Sequence, residues 1–279
     1  MLRRPRMRVR VRVRPLTFSL NRMIPNILTM LALCAGMTAI RFAVADKFES
    51  AVAAVIIAAI LDGLDGRIAR LLKGTSTFGA QLDSLSDFVS FGVAPAVMLY
   101  LWTMSRHPGF GWAVVLIFAV CCALRLARFN TQIGAELPPY AYNFFTGVPA
   151  PAAAGLVLMP MIANFEFGLD EVFRSPILNA ATIIAISALM VSRVPTFAMK
   201  RFRVRHEWVP PTLLLVGALA AFLTTEPWAT MLVIGATYLG SIPFSVYSYR
   251  RLRRTAEAMR AATLRLASEA AADAVHPGG

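Results

Sequence analysis

The chain has 279 residues, 57% of them hydrophobic and only 15% charged, with a formal net charge of +13. Soluble domains average about 45–50% apolar and 25% charged residues, so this composition excludes an ordinary water-soluble domain and points to lipid. The surplus of 28 basic over 15 acidic residues would suit nucleic acid in a soluble protein. Here it falls between apolar runs, which argues for membrane orientation and no nucleic-acid partner.

An acid-free start carries Arg3, Arg4, Arg6, Arg8, Arg10, Arg12 and Arg14. It reads as an orientation signal and a contact for anionic lipid, each cation contributing about 1 kcal/mol near the surface. The apolar run behind it exceeds the roughly 7–15 residues of a secretory signal core, and in composition the start also resembles an organelle transit peptide. Eight apolar stretches follow, at roughly 24–44, 50–72, 83–104, 110–130, 147–165, 176–194, 209–224 and 227–248. A spanning helix needs about 20 such residues. The expectation is an all-α polytopic membrane protein with about eight transmembrane helices: a basic tail at 1–22, a membrane domain at 23–249 and a tail at 250–279. The last segment is rich in helix formers and sets Met259, Leu264 and Leu266 among charges. It suits either a helix lying on the membrane surface or a solvated tail.

Threading eight spans leaves only Arg41, Lys47, Arg106 and Arg174 of the 28 basic residues on one side. The positive-inside rule then puts both termini in the cytoplasm, as an even number of helices requires. The cysteines (Cys34, Cys121, Cys122) sit inside apolar runs and the histidines (His107, His206, His276) are scattered. Neither set has the spacing of a metal site or a disulfide framework.

The chemistry concentrates where the second run ends and the third begins. Asp62, Asp65, Gly66 and Ala69 are spaced i, i+3, i+4, i+7 and share one helix face, as do Gly79, Asp83 and Asp87 at i, i+4, i+8. The connector, Lys73 to Phe78, is short enough to fold the two helices antiparallel, so that four carboxylates converge. One Asp at mid-membrane costs about 2.5–3.5 kcal/mol, so four unpaired ones approach roughly 12 kcal/mol, the scale of a whole domain's stability. Capping, or pairing with Arg67, Arg70 and Lys73, would offset only part of this. Hard divalent cations, Mg²⁺ or Mn²⁺, are the natural compensation for an all-oxygen cluster. Two such ions can clamp the attacking and leaving oxygens of a displacement at phosphorus.

The string Asp62-x2-Asp65-Gly66-x2-Ala69-Arg70-x8-Gly79-x3-Asp83-x3-Asp87 resembles the complete signature of the CDP-alcohol phosphatidyltransferase family. The resemblance implies an integral membrane enzyme, a homodimer, that moves a phosphatidyl group from CDP-diacylglycerol to an alcohol and releases CMP. It implies a bacterial cell membrane with the active site on the cytoplasmic side. By the same resemblance Asp62, Asp65, Asp83 and Asp87 hold two Mg²⁺ or Mn²⁺ ions, with Asp87 also the general base. Gly66, Ala69, Arg70 and Gly79 would line the CDP pocket with Asp62 and Asp65, and Asn26 and Thr29 of the first helix would approach the nucleotide.

Further segments resemble the membrane-integral phosphatidylserine synthase branch of that family: Asp83 to Ala96, Leu124 to Asn130, Phe145 to Ala154 and Val191 to Thr196. They imply L-serine as acceptor. Serine brings a carboxylate, which a guanidinium grips bidentately, and Arg125, Arg128 and Arg193 fall near the expected cytoplasmic helix ends. The same arginines would equally enforce topology, or hold the phosphate of glycerol 3-phosphate or inositol phosphate. Phosphatidylglycerophosphate and phosphatidylcholine synthases are the alternatives within the family. From another class, a divalent-cation transporter would also use intramembrane acids, but at mid-membrane on broken helices.

Overall fold

A computed structural model describes residues 20–72, 76–131, 144–197 and 209–275. The expectations for Arg3 to Arg14, Lys73, His206 and His276 lie outside these residues. So do those for the basic run at 200–205.

Helices α1 (Leu20–Val44) and α2 (Phe48–Leu71) form a hairpin and make the most extensive helix pair in the molecule. Their seam is built from small residues: Ala39 and Ala43 on α1, Ala51, Ala54 and Ala58 on α2, all buried. Small side chains let two backbones approach closely, which substitutes for hydrophobic driving force in lipid. Asp46, at a φ of 57°, turns the chain between them, a left-handed conformation that Asp tolerates better than most residues.

Next, α3 (Thr77–Asp87) runs through a wider π-helical turn (Phe88–Val93) into α4 (Ala94–Trp102). Ser76 caps α3 by accepting from the Gly79 amide at 3.0 Å. Ser86 and Ser90, one turn apart, donate to the Thr29 and Ala32 carbonyls of α1 at 3.1 and 3.2 Å. Gly36 makes that approach possible, since a Cβ there would collide with the Ser90 side chain. The π turn begins at the residue after Asp87.

After a 3₁₀ turn (Met104–Arg106), α5 (Pro108–Thr131) packs against both α4 and α9 (Pro176–Val191). Between them in sequence lie α6 (Ala150–Val157), α7 (Met159–Phe167) and the short α8 (Asp170–Phe173). α6 and α7 bend by 41° at the turn holding Pro160, which lacks a donor and crowds the carbonyl four residues back. The core fills the space among α1, α2, α4, α5, α6, α7 and α9, around Phe91, Met98, Phe118, Met161 and Met190. On the outside, α10 (Val209–Thr225) buries no residue and leans on α11 (Pro227–Val275).

One expectation changes and one is not confirmed. The fold is all-α but for one antiparallel ribbon, β1 (Phe144–Thr146) with β2 (Pro195–Phe197), Phe145 opposite Thr196. Strands of three residues are too short to show period-two alternation in sequence. The count of about eight spans is not confirmed. Four helical stretches among the described residues are long and apolar enough to cross a membrane (Met23–Val44, Thr77–Trp102, Pro108–Thr131, Pro227–Met259), with a fifth if α6 and α7 are one broken span. α2 falls short because Glu49, Asp62, Asp65 and Arg67 interrupt it. α9 and α10, at 16 and 17 residues, reach only about 24–26 Å against a hydrocarbon thickness of about 30 Å. α11 continues unbroken through position 250, so the expected start of the C-terminal tail falls inside one helix.

Candidate active site

Asp62 comes from the second half of α2, and Asp83 and Asp87 from one face of α3. One carboxylate oxygen from each lies within 4.8 Å of the other two, and all three side chains are half-buried. α1, rather than the connector, brings them together: both α2 and α3 pack on α1 and only slightly on each other. Gly66, four residues after Asp62 on the same face, opens on free space, since a Cβ there would meet nothing within 4 Å. Ala69 is half-buried, and Arg67 and Arg70 are exposed further along α2. Among the described residues none of the four aspartates forms an ion pair with Arg67 or Arg70.

Asp65 stands outside this trio. It is 5% exposed and accepts a hydrogen bond from the Thr29 hydroxyl of α1 at 2.5 Å. Thr29 is buried too, and its carbonyl receives Ser86. One α1 residue therefore ties the α2 acid, through its hydroxyl, to the Ser86 side chain of α3, through its carbonyl. Asn26, a turn earlier, lies against Gly79: a Cβ there would come within 2.8 Å of the Asn26 Oδ1.

The donor set fits a hard divalent cation. Ligands on opposite sides of Mg²⁺ or Mn²⁺ sit about 4 Å apart, at about 2.1 Å from the ion each, within reach of three oxygens spread over 4.8 Å. Three like charges this close repel, and a cation shared among them removes that repulsion. Cysteine and histidine offer nothing comparable among the described residues, where Cys34, Cys121 and Cys122 are free.

The three arginines separate. Arg128 donates from Nη1 to the Val191 carbonyl at 2.7 Å, closing the end of α9 against α5. Arg193 is exposed just beyond α9. Arg125 is half-buried, within electrostatic reach of Asp87, and its Nε is shut from solvent without a partner among the described residues. The β1–β2 ribbon joins two of the segments read from the sequence. Gly147, at a φ of 77°, donates to Val194 at 2.8 Å and accepts from the Thr196 hydroxyl at 2.9 Å. Ser84, beside Asp83, pairs with Asn130 on α5 at 2.9 Å.

A family model described as CDP-alcohol phosphatidyltransferase matches residues 22–194. The chain belongs to the CDP-alcohol phosphatidyltransferase family. A second model, CDP-alcohol phosphatidyltransferase 2, matches residues 207–243. The chain is 40% identical over 235 residues to a CDP-diacylglycerol–serine O-phosphatidyltransferase of Mycobacterium tuberculosis, covering 84% of this chain and 82% of that one. The Helicobacter pylori protein of the same name is 34% identical over 217 residues, 77% of this chain and 87% of its own. An archaetidylserine synthase of Methanothermobacter thermautotrophicus is 32% identical over 176 residues, 61% and 68% of the two chains.

Membership in this phosphatidyltransferase family sets the transporter reading aside and agrees with a site open to lipid. An apolar groove of about 470 Å³ between α4 and α5 begins at Phe88, next to Asp87, and runs to Trp112. The site also has a neighbour that sequence reading passed over. Tyr238 on α11 lies within electrostatic reach of Arg125 and near the Thr196 side chain, and its hydroxyl is buried without a well-formed hydrogen bond among the described residues. Tyr in a membrane helix ordinarily marks the interface. A Tyr in the middle of the last apolar run, flanked by Gly235 and Gly240, was the available signal.

Proposed function

We propose that this phosphatidyltransferase moves the phosphatidyl group of CDP-diacylglycerol to L-serine, giving phosphatidylserine and CMP. The observation that carries the reading is the meeting of Asp62, Asp83 and Asp87 within 4.8 Å, in a chain whose relatives bear the name of that reaction. Two Mg²⁺ or Mn²⁺ ions held by Asp62, Asp65, Asp83 and Asp87 would neutralise the pyrophosphate and polarise phosphorus for attack.

The residues have separate tasks. Asp87 takes the proton of the serine hydroxyl, and that oxygen forms a new bond to the lipid-side phosphorus. The bond from that phosphorus to the bridging oxygen breaks, and CMP leaves with the electron pair. Gly66, Ala69 and Gly79 keep the CDP pocket free of side chains, and Arg70 approaches the nucleotide phosphates. Asn26 packs on Gly79, and Thr29 acts through Asp65, which its hydroxyl orients. Of the three arginines, Arg125 is best placed for the serine carboxylate. Arg128 is engaged with Val191 and braces α9, while Arg193 lies out at its end. Catalysis rests chiefly on positioning and charge stabilisation.

The basic residues at one set of helix ends support an enzyme with its site and both termini on the cytoplasmic face of a bacterial cell membrane, working as a homodimer. The test is direct. Protein in detergent is given CDP-diacylglycerol, labelled L-serine and Mg²⁺ or Mn²⁺, and labelled lipid and CMP are measured. Phosphatidylserine that disappears with EDTA and in Asp87→Asn supports the reading. Activity with glycerol 3-phosphate or choline and none with serine would move the chain to another branch of its family.

A further inference from the structure

Asp87 is the last residue of α3, and the wider π turn starts at Phe88. This stretch passes between α1 and α5 with a close approach on either side. A Cβ on Gly36 of α1 would stand 2.7 Å from the Ser90 Cα, and one on Gly92 would stand 3.1 Å from the Cys122 Cβ of α5. Ser86 and Ser90 are 3% and 0% exposed. They carry the polar contacts of the passage, donating to the Thr29 and Ala32 carbonyls at 3.1 and 3.2 Å. Both carbonyls lie within helix α1, and each oxygen receives the serine on a second lone pair. The α1 backbone therefore does not depend on either hydroxyl, and alanine would fill nearly the same space.

What the hydroxyls do fix is rotation. Each residue turns an α-helix by about 100°. Ser86 is one residue before Asp87 and three after Asp83, so pinning it to α1 sets the direction in which both carboxylates leave α3. Four α-helical residues overshoot a full turn by about 40°, which would carry residue 90 off the α1 seam. A π turn takes more residues per turn and winds that drift back, so Ser90 meets α1 one turn on from Ser86. Thr29 closes the arrangement, since its hydroxyl goes to Asp65 of α2 while its carbonyl receives Ser86 of α3. We propose that Ser86 and Ser90, acting with the π turn, are positioning residues that lock the rotation of α3 and aim Asp83 and Asp87 at Asp62. The three carboxylate oxygens then stand within 4.8 Å before any ion arrives. Ligands already aimed at an ion cost no ordering when it binds. This inference rests on the metal reading given above.

The experiment measures Mn²⁺ binding to the full chain in detergent, without nucleotide, from the loss of the free-ion electron paramagnetic resonance signal. Melting temperatures are taken alongside to show that each variant is folded. Ser86→Ala and Ser90→Ala should each weaken Mn²⁺ binding about three- to tenfold, the factor that loss of one hydrogen bond brings. Ser187→Ala is the comparison. Ser187 is 2% exposed and donates to the Ile183 carbonyl of its own helix, α9, at 2.7 Å. Its loss removes an equally buried hydroxyl outside the α1–α3 seam, so Mn²⁺ affinity should stay at the wild-type value. Wild-type affinity in either Ser86→Ala or Ser90→Ala overturns the inference, and so does an equal loss in Ser187→Ala. If one of the two seam variants does not fold, the other decides alone. A wild type that takes up no Mn²⁺ removes the metal reading itself, a result distinguishable from a loss confined to the two seam variants.

Discussion

Replacing Thr29 with Val removes one hydroxyl and little volume. Thr29 is 4% exposed and Asp65 5% exposed, so no solvent stands ready to take over the 2.5 Å bond between them. A hydrogen bond to a charged group contributes about 1.5–3 kcal/mol, and an orphaned buried carboxylate forfeits all of it. With an unfolding entropy of about 2.1 cal/mol/K per residue, 279 residues give about 0.6 kcal/mol/K, and the variant should melt about 3–5 °C below wild type. Thr29→Ser keeps the donor and should melt close to wild type. The assay is thermal unfolding of detergent-solubilised protein followed by intrinsic fluorescence, run on both variants and on each in an Asp65→Leu background. There the Thr29→Val effect should vanish, because its partner is gone. Equal melting of Thr29→Val and wild type, or an undiminished effect in the Asp65→Leu background, would refute the claim that this bond joins α1 to α2. Phosphatidyl transfer should fall with stability in Thr29→Val, since Asp65 loses the contact that orients it.

EDTA should abolish CMP release, with Mg²⁺ or Mn²⁺ restoring it, and Asp87→Asn should lower turnover by about 10²–10⁴-fold, the usual contribution of a general base. Asp83→Asn should raise the metal concentration needed for half-maximal rate, read by titrating Mn²⁺ against CMP release. Gly79→Ala puts a Cβ 2.8 Å from the Asn26 Oδ1 and 3.1 Å from the Ser76 Oγ, so Asn26 must swing away. Activity should drop while the melting temperature changes little, and Asn26→Ala in the same chain should recover part of the loss. Gly147→Ala faces both a φ of 77° and the Met190 carbonyl at 2.5 Å. It should cost about 1–3 kcal/mol, seen as a lower melting temperature, because the ribbon and the end of α9 are held through that residue.

The helical class and the location of the chemistry were legible because both are local. Apolar runs report their length directly, and acids at i, i+3 and i, i+4 share a face whatever lies around them. The β1–β2 ribbon was not legible, since Phe145 and Thr196 meet only once α6 packs on α9 and α11 on β2, rather than through any pattern within either segment. The span count of about eight is not confirmed, for a related reason. Hydropathy registers apolarity, whereas crossing a bilayer also demands length and freedom from charge, which α2, α9 and α10 lack.

The sequence by itself determined the family signature and the presence of four acidic oxygen donors, Asp62, Asp65, Asp83 and Asp87, on two successive helices. Tertiary structure decided how these residues are shared out. It turned Asp65 to Thr29 and gathered Asp62, Asp83 and Asp87. Arg128 went to the end of α9, while Arg125 stayed within electrostatic reach of Asp87 with its Nε unpartnered among the described residues. The physical reason is that spacing along one helix sets only which face a side chain occupies. The partner that face meets depends on close approaches such as Gly36 on Ser90 and Gly79 on Asn26, and these exist only once the helices have packed.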